Sequence, residues 1–214
     1  MFIAFEGLDG SGKTTQIALL SDFLRAQGHR VFTTREPGGT SIGERIRAVL
    51  HDLRHAEMHP HTELLLYAAS RAQLVAEEIH PRLERGEIVL SDRFADSTLA
   101  YQGYGRGLPL DTLRTILDFA TGGLYPDLVV YLDIAPEEGL RRNRRAAANG
   151  AEWNRMDAQT ADFYRRVAAG YAALREADPA RWVTVDASAS PEDVQVHVRA
   201  MVLERLAAAT DRRS

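Results

Sequence analysis

Cysteine is absent from this chain of 214 residues, and lysine occurs only once. The lack of cysteine excludes disulfide bonds, thiolate metal sites and cysteine nucleophiles. The 26 basic residues are 25 arginines and Lys13, so there is no second lysine for the Asn/Thr-Lys-x-Asp motif with which GTPases usually recognise guanine. The chain therefore uses arginine for its surface charge and has one compact ammonium group, at Lys13.

Long apolar runs and an excess of positive charge are also missing. No stretch approaches the roughly 20 apolar residues of a membrane span, and Phe2–Phe5 is too short for a signal peptide. The net charge of −4 argues against general nucleic-acid binding, which needs a basic face. We expect one cytoplasmic domain, residues 1–214, that binds neither nucleic acid nor membrane.

The rest of the chain is organised around residues 6–15, EGLDGSGKTT. They contain the pattern G-x-x-x-x-G-K-[ST] between an apolar run and a helical period, which is the context of a phosphate-binding loop. Lys13, expected at an exposed loop tip, would reach the β- and γ-phosphates of ATP, and the Thr14 hydroxyl would bind Mg²⁺. The alternative is a Gly-rich turn that matches by chance. The predicted ATP-binding residues are Gly7, Leu8, Asp9, Gly10, Ser11, Gly12, Lys13, Thr14 and Thr15.

Short apolar runs alternate with helical periods, which predicts an α/β fold with a five-stranded parallel sheet and helices on both faces. The predicted strands are Phe2–Phe5, Val31–Thr34, Ile88–Ser91, Leu128–Asp133 and Trp182–Asp186. The predicted helices cover residues 13–27, 41–53, 61–85, 95–119, 136–176 and 191–209. Ligands of such sheets bind at the carboxyl ends of the strands. We expect one shared site from the polar residues at these ends, namely Glu6, Arg35, Glu36, Asp92, Arg93, Asp133 and Asp186.

Charged residues follow the second and third strands. Arg35 can place two donors on a phosphate while Glu36 orients it, and Pro37 predicts a tight turn or a cis peptide. A plain turn with a local ion pair is the alternative. Asp92 occupies the Walker B position, which holds Mg²⁺ through water, although it could instead cap the next helix. Arg93 can bridge the phosphates of two substrates.

Helical spacing groups three further sets of residues. Tyr67 and Arg71 share a face that suits a planar base, unless they are a core tyrosine and a surface arginine. His51 and His55 are expected to be solvated, because no HExxH signature is present. Arg-rich clusters are usually solvated faces, but here a lid of residues 141–157 could swing arginines onto ATP. Spacing does not choose among Arg142, Arg144, Arg145 and Arg155.

Together these stretches resemble the thymidylate (dTMP) kinase family of P-loop nucleoside-monophosphate kinases. The resemblance covers nearly the whole chain and is carried by residues 6–15, by REPGGT at 35–40, by DRF at 92–94 and by AYQG at 100–103. The second and fourth of these are more specific than the phosphate loop, which marks only a superfamily. The resemblance implies transfer of the γ-phosphoryl group of Mg·ATP to dTMP.

The resemblance also implies residue roles around dTMP. Asp9 would contact the 3′-hydroxyl, and Arg35 and Arg93 would hold the phosphate with Glu36 near the acceptor and the metal. Tyr67 stands where the family usually stacks phenylalanine on thymine. The remaining substrate-binding residues would be Arg71 at thymine O4, Thr98 and Gln102 in the base pocket, and Tyr101 against the ribose 2′ position.

Residues 8–11 carry no positive charge while the lid is Arg-rich, which looks like the arrangement common in bacterial members. The predicted catalytic set is Asp9, Lys13, Arg93, Arg144 and Arg155, with Thr14 and Asp92 at the metal. The family also implies a homodimer and an adenine site near Ala187–Pro191. A kinase for another monophosphate, such as dUMP, CMP or AMP, and a non-catalytic ATP-binding switch are the alternatives. Arg35, Arg71 and Arg93 speak against the switch.

Overall fold

The structure, a computed structural model, describes residues 1–150 and 152–211. Its centre is a five-stranded sheet with the order β2-β3-β1-β4-β5, in which all neighbouring pairs are parallel. The strands are β1 Phe2–Glu6, β2 Val31–Arg35, β3 Ile88–Asp92, β4 Leu128–Asp133 and β5 Trp182–Asp186. The predicted parallel sheet is therefore confirmed, and three strands run one residue further than predicted.

Helices surround this sheet, and among the described helices none is long and apolar enough to cross a membrane. The α-helices are α1 Lys13–Ala26, α2 Ser41–His51, α3 Pro60–Leu74, α4 His80–Glu84, α5 Ala95–Thr98, α6 Leu110–Thr121, α7 Pro136–Ala148, α8 Ala161–Ala177 and α9 Pro191–Asp211. Two π-helical segments, Val75–Ile79 and Leu99–Gly105, follow α3 and α5.

The helices cover both faces of the sheet. α1 and α9 pack against each other on one face, where α1 contacts β1, β2 and β3 and α9 contacts β4 and β5. On the other face α8 packs along the second π-helical segment, and Tyr171 of α8 reaches the end of β1. The central strands β1 and β4 are buried almost throughout. Their apolar residues therefore face helices on both sides, as parallel sheets require.

The predicted long helices 61–85 and 95–119 are interrupted by the π-helical segments. In the first, Val75–Ile79 lies between α3 and α4, and Pro81 sits in the first turn of α4, where its missing N–H is tolerated. In the second, α5 passes directly into Leu99–Gly105 before a loop leads to α6. Hydrophobic periodicity does not reveal the extra residue of a π-helical turn, so the sequence pattern predicted continuous helices.

The predicted helix 136–176 is wrong in its middle. α7 ends at Ala148, and Gly150 takes a φ of 92°, a left-handed conformation that suits glycine after a helix end. α8 begins after Thr160, whose side chain accepts a hydrogen bond from the backbone N–H of Phe163. Two helices with their own end signals therefore replace one long helix.

Gly170 allows α8 to lie directly against the second π-helical segment. A Cβ built on Gly170 would lie 2.7 Å from Cγ and Cδ2 of the Tyr104 ring. We expect Gly170→Ala to lower the free energy of unfolding by about 1–3 kcal/mol, because a packed ring must move. Thermal unfolding measures this. Ala169→Ser, on the exposed side of α8, is the control and should leave the melting temperature nearly unchanged. An equal melting temperature for Gly170→Ala would contradict the close packing.

Candidate active site

A cavity of about 480 Å³ opens at the carboxyl ends of β1, β2 and β3. Its wall includes most of the predicted site residues, namely Asp9, Gly10, Gly12, Lys13, Thr14, Thr15, Arg35, Glu36, Tyr67, Arg71, Asp92, Arg93, Thr98, Tyr101 and Gln102. Of the part of the chain that is described, Asp133 and Asp186 do not contribute to this wall. The prediction that all five strand ends share one site is therefore wrong for β4 and β5.

The phosphate loop owes its shape to glycines in the left-handed region. Gly10 has a φ of 81° and Gly12 a φ of 92°, so both backbones adopt a conformation that other residues rarely tolerate. α7 also approaches the loop closely, because a Cβ on Gly10 would overlap the carbonyl oxygen of Gly139 and one on Gly139 would lie 2.8 Å from the carbonyl oxygen of Asp9. Gly7, Leu8 and Ser11 shape the loop without lining the cavity.

Lys13 is buried, with only 7% of its surface exposed, so the expectation of an exposed loop tip is wrong. Its Nζ donates to the carbonyl oxygens of Gly7 at 3.2 Å and Leu8 at 3.0 Å. Burial and the Arg93 guanidinium lower the pKa of Lys13, while neighbouring carboxylates act in the opposite direction. The ammonium group thus lies within its own loop, where it can exchange loop carbonyls for phosphate oxygens.

The Thr14 hydroxyl and the Asp92 carboxylate meet at the base of the cavity. Thr14 Oγ1 donates to Asp92 Oδ2 at 2.7 Å. The next helix, α5, has Phe94 at its N-cap and no side-chain capping hydrogen bond, so Asp92 does not cap it. Hydroxyl and carboxylate oxygens suit Mg²⁺, which usually retains several waters and binds substrate phosphates as well. Within residues 1–150 and 152–211, no group of three or more Asp, Glu or His side chains could hold a metal. This donor pair therefore fits a magnesium ion shared with a nucleotide.

Arg93 connects the phosphate loop to the segment after β3. Its backbone has a φ of 72°, which is unusual for a residue other than glycine. Arg93 Nη2 donates to Asp9 Oδ1 at 2.7 Å and to the Tyr101 hydroxyl at 3.0 Å. Burial raises the pKa of the Asp9 carboxyl, but Arg93 and Lys13 outweigh it, so that pKa lies below its ordinary value. Asp9 is therefore a carboxylate at neutral pH.

Glu6, at the end of β1, supports this arrangement from beneath the cavity. Its fully buried carboxylate accepts hydrogen bonds from the Tyr171 hydroxyl at 2.7 Å and the Ser97 hydroxyl at 2.5 Å. Both hydroxyls also bond to Arg93 Nη1, at 3.2 and 3.1 Å respectively. Burial raises the pKa of Glu6 above its ordinary value although Arg93 opposes this. The sequence placed Glu6 at the strand end but gave no sign of Tyr171 or Ser97.

Glu36 and Arg71 form a buried ion pair at the far wall of the cavity. Arg71 Nε donates to Glu36 Oε2 at 2.8 Å, and Arg71 Nη1 donates to the Thr98 hydroxyl at 3.0 Å. Arg71 is 1% exposed, so the alternative of a surface arginine is excluded. Burial raises the pKa of Glu36, against the effect of Arg71. Tyr67 lines the same wall, one helical turn before Arg71 on α3.

The loop after β2 is held by α2. The peptide bond before Pro37 is cis, and the half-exposed Arg35 side chain pairs with Glu44 at 2.9 Å. Arg47 donates to the carbonyl oxygen of Pro37 at 3.1 Å, which sequence reasoning missed. Arg35 lines the cavity, and the contacts with α2 hold the loop that carries it. This position is compatible with the predicted phosphate contact.

The segment that we predicted as a lid contacts the end of α2 through Glu152. Glu152 pairs with Arg47 at 3.0 Å and with His51 Nδ1 at 2.8 Å. His51 lines the cavity and is largely buried, so the expectation of a solvated histidine is wrong there. Burial, followed by Arg47, lowers the pKa of His51. His55 is half-exposed, as expected of a solvated histidine. Nothing in the sequence pattern linked α2 to the lid.

The lid arginines occupy different environments. Arg142 lines the cavity and donates to the carbonyl oxygens of Ala187 at 2.9 Å and Ser188 at 3.3 Å. Arg155 is buried, donates to the carbonyl oxygen of Leu50 and pairs with Glu63. Arg144 is exposed on α7. Neither Arg144 nor Arg155 is among the described residues that line the cavity, so this conformation does not bring the two predicted catalytic arginines to the site.

A five-stranded parallel sheet with a phosphate loop after its central strand defines the P-loop nucleotide-binding class. A family model described as thymidylate kinase matches residues 5–198. A thymidylate kinase from Roseiflexus sp. (strain RS-1) is 51% identical over 218 residues, which cover 98% of this chain and 96% of that protein. One from Desulfovibrio desulfuricans is 50% identical over 206 residues, which cover 94% of each.

The likeness extends to solved structures. The crystal structure of a thymidylate kinase from Ehrlichia chaffeensis matches with a TM-score of 0.75 and 32% identity, covering 94% of this chain and 98% of that chain. The chain belongs to the thymidylate kinase family.

The fit of Lys13 within its loop can be tested by exchange for arginine. We expect Lys13→Arg to lose about a hundredfold or more in kcat, as the loss of an oriented donor does elsewhere, because a planar guanidinium does not fit between loop carbonyls about 3 Å away. Lys13→Ala should lose at least as much. Steady-state turnover under saturating substrates measures both. Arg25→Lys, at the other end of α1, is the matched exchange control. Near-normal turnover in Lys13→Arg would contradict the interpretation that only a compact ammonium group fits this position.

Proposed function

We propose that this protein transfers the γ-phosphoryl group of Mg·ATP to dTMP, giving dTDP and ADP. The observation that carries the proposal is the single cavity with two recognition ends. One end is a phosphate loop with the only lysine of the chain. The other end is lined by Tyr67 and the buried Arg71, which suit a planar nucleotide base. A switch protein needs only the first end, so the second favours a kinase with a small acceptor substrate.

ATP would bind with its phosphates along residues 7–15. Backbone N–H groups of the loop and the start of α1 face anions favourably, and Lys13 Nζ would leave the loop carbonyls for the β- and γ-phosphate oxygens. The adenine would lie toward the loop after β5, where Arg142 fixes the carbonyl oxygens of Ala187 and Ser188. Thr14 and Asp92 would hold Mg²⁺. That ion would neutralise charge on the β- and γ-phosphates.

The acceptor dTMP would occupy the opposite end of the cavity. Arg71 would donate to thymine O4, with Tyr67 stacking on the ring and Thr98 beside it. Tyr101, held by Asp9 and Arg93, would close the space at the ribose 2′ position, so deoxyribose would be preferred. Arg35 and Arg93 would hold the 5′-phosphate, and Glu36 would lie near the acceptor.

Catalysis would come from positioning and from charge. A phosphate monoester has a second pKa of about 6, so the acceptor oxygen of dTMP is already nucleophilic at neutral pH and needs no general base. A bond would form from this oxygen to the γ-phosphorus while the bond to the β,γ-bridging oxygen breaks. Asp9 would fix the sugar and, through its ion pair, Arg93, which holds the attacking phosphate in line.

Arg144 and Arg155 remain our proposed lid catalysts. Each would have to move toward the γ-phosphate, Arg155 by leaving Glu63 and Leu50 and Arg144 by a shift of α7. The lid, proposed as residues 141–157, consists of the last two turns of α7 and the segment that follows. Such closure is common in phosphoryl transferases.

The assembly and location are also proposals. A homodimer is supported by the family resemblance and by the exposed apolar side chains Ile42 on α2, Leu65 on α3 and Phe119 on α6. A second copy would cover them, and light scattering would report the mass. A cytoplasmic location is supported by the substrates ATP and dTMP.

A coupled ADP-release assay across nucleoside monophosphates tests the proposed reaction. We expect turnover with dTMP at least tenfold more efficient in kcat/KM than with CMP, AMP or ribothymidine monophosphate, because each of these lacks a group that the cavity recognises or adds one that it excludes. ATP hydrolysis without an acceptor is the background control. Higher efficiency with another monophosphate would identify a different kinase, and binding of ATP without turnover of any acceptor would favour the switch.

Alanine substitution of the lid arginines tests their catalytic role. A residue that acts mainly in the transition state should lower kcat and kcat/KM together. We expect at least one of Arg142→Ala, Arg144→Ala, Arg145→Ala and Arg155→Ala to lose about a hundredfold in kcat under saturating substrates, or roughly 3 kcal/mol in the barrier. Melting temperatures separate this from loss of the Arg155–Glu63 pair. If kcat of all four variants stays within a few-fold of that of the unsubstituted protein, the lid arginines have no catalytic role.

A further inference from the structure

Glu63 on α3 is a fully buried carboxylate that lies behind the cavity wall and does not line it. Its Oε1 accepts hydrogen bonds from Gln102 Nε2 at 2.8 Å and from Arg106 Nε at 3.1 Å. Its Oε2 accepts from Arg106 Nη2 at 3.0 Å and pairs with Arg155 Nη2 at 2.5 Å. One carboxylate thus joins α3, the second π-helical segment and the lid.

Two guanidinium groups keep this carboxylate ionised. Burial alone raises the pKa of Glu63, but the hydrogen bonds from Arg106 and Gln102 and the charges of Arg106 and Arg155 outweigh burial, and that pKa lies below its ordinary value. An ionised carboxylate has acceptors and no donor. Whatever faces Glu63 must therefore donate.

This requirement fixes the amide of Gln102. A glutamine amide carries two donor hydrogens on nitrogen and an acceptor oxygen, and either can face a neighbour when the surroundings permit. Here only the nitrogen can face Glu63, so the carbonyl oxygen remains for the cavity that Gln102 lines. The base site is therefore given an acceptor at this position, beside the donors of Arg71.

We propose that Glu63 is a specificity-determining residue that acts through Gln102, making the base site select a base with an N–H donor between two carbonyl groups over a base with a bare ring nitrogen there. Thymine and uracil have the donor at N3, whereas cytosine has an acceptor. The inference deepens the proposed function and rests on it. Cytosine would place its N3 acceptor against the carbonyl oxygen of Gln102, and both acceptors would lack a hydrogen-bond donor.

The decisive variant is Glu63→Gln, which can donate as well as accept and so leaves the Gln102 amide free to turn. We expect the ratio of kcat/KM for dTMP to that for dCMP to fall at least about tenfold, the scale of one misplaced hydrogen bond. The dTMP-to-dUMP ratio should stay the same, since both bases carry the N3 donor. Arg71 still faces position 4 of the base, so some preference for dTMP remains.

Three further variants separate this role from general support of the fold. Glu63→Asp keeps an acceptor-only carboxylate, so its dTMP-to-dCMP ratio should stay near the wild-type value even if KM rises. In a Gln102→Ala background, adding Glu63→Gln should not change the ratio further. Asp96→Asn is the matched control, because Asp96 is a buried carboxylate, 2% exposed, paired with Arg181 at 2.7 Å, and the cavity wall does not include it.

The test still works if the Glu63→Gln variant does not fold. If Glu63→Gln alone is unstable because the buried Arg155 and the partly buried Arg106 lose their partner, Glu63→Gln with Arg106→Gln removes one of those charges and is measured instead. A dTMP-to-dCMP ratio that is unchanged in the folded variant, or one that falls equally in Asp96→Asn, overturns the inference. If the unsubstituted protein itself does not prefer dTMP to dCMP, the proposed function is wrong. That outcome is distinguishable from an unchanged ratio in the variant, which contradicts only the role of Glu63.

Discussion

The ion pair between Asp9 and Arg93, 2.7 Å long, is the contact on which the site depends. Asp9 belongs to the loop after β1 and Arg93 to the segment after β3, two strands that are neighbours in the sheet. The backbone pairing of these strands ends where the N–H of Arg93 donates to the carbonyl oxygen of Phe5 at 2.9 Å. Beyond that point side chains join the two loops, through the Asp9–Arg93 pair and the hydrogen bond from Thr14 to Asp92. The pair fixes the distance between the phosphate loop and the acceptor end of the cavity.

The cavity collects several cations before any phosphate is bound, and each is held by acceptors of its own chain. Lys13 faces loop carbonyls, Arg93 faces Asp9, Arg71 faces Glu36, and Arg35 faces Glu44. Burying unpaired charge costs several kcal/mol per ion, so these acceptors allow a cationic pocket to exist in a chain of net charge −4. The same contacts orient the cations, which lowers the reorganisation needed when phosphates arrive.

Sequence reasoning succeeded where one local pattern carried the information. The phosphate loop, the strand ends at Arg35 and Asp92, and the Tyr67–Arg71 spacing each lie within a few residues, and the structure brings them to one cavity. It failed where partners are distant in the chain. Tyr171 meets Glu6 across 165 positions and Gln102 meets Glu63 across 39. No periodicity encodes such contacts, because the packing of whole elements produces them.

The failures at Asp133 and Asp186 have a different physical cause. Both end apolar strands, as Asp92 does, but β4 and β5 lie on the other side of β1 from β2 and β3. α7 starts directly after β4 and packs against the phosphate loop through Gly139, which separates these strand ends from the cavity. Strand order, which the alternation of elements does not reveal, therefore decided which polar ends could meet.

The π-helical segment Leu99–Gly105 contributes to the site through two adjacent residues that contact different partners. Its wider turn bonds the N–H of Arg106 to the carbonyl oxygen of Tyr101, five residues back, at 2.9 Å. Gln102 and Arg106 are four residues apart, so they share one face and both reach the Glu63 carboxylate. Tyr101, next to Gln102, then faces Asp9 and Arg93 instead. Adjacent residues of such a segment project in directions roughly 80–100° apart, so Gln102 contacts the carboxylate behind the wall while Tyr101 contacts the Asp9–Arg93 pair on the cavity side.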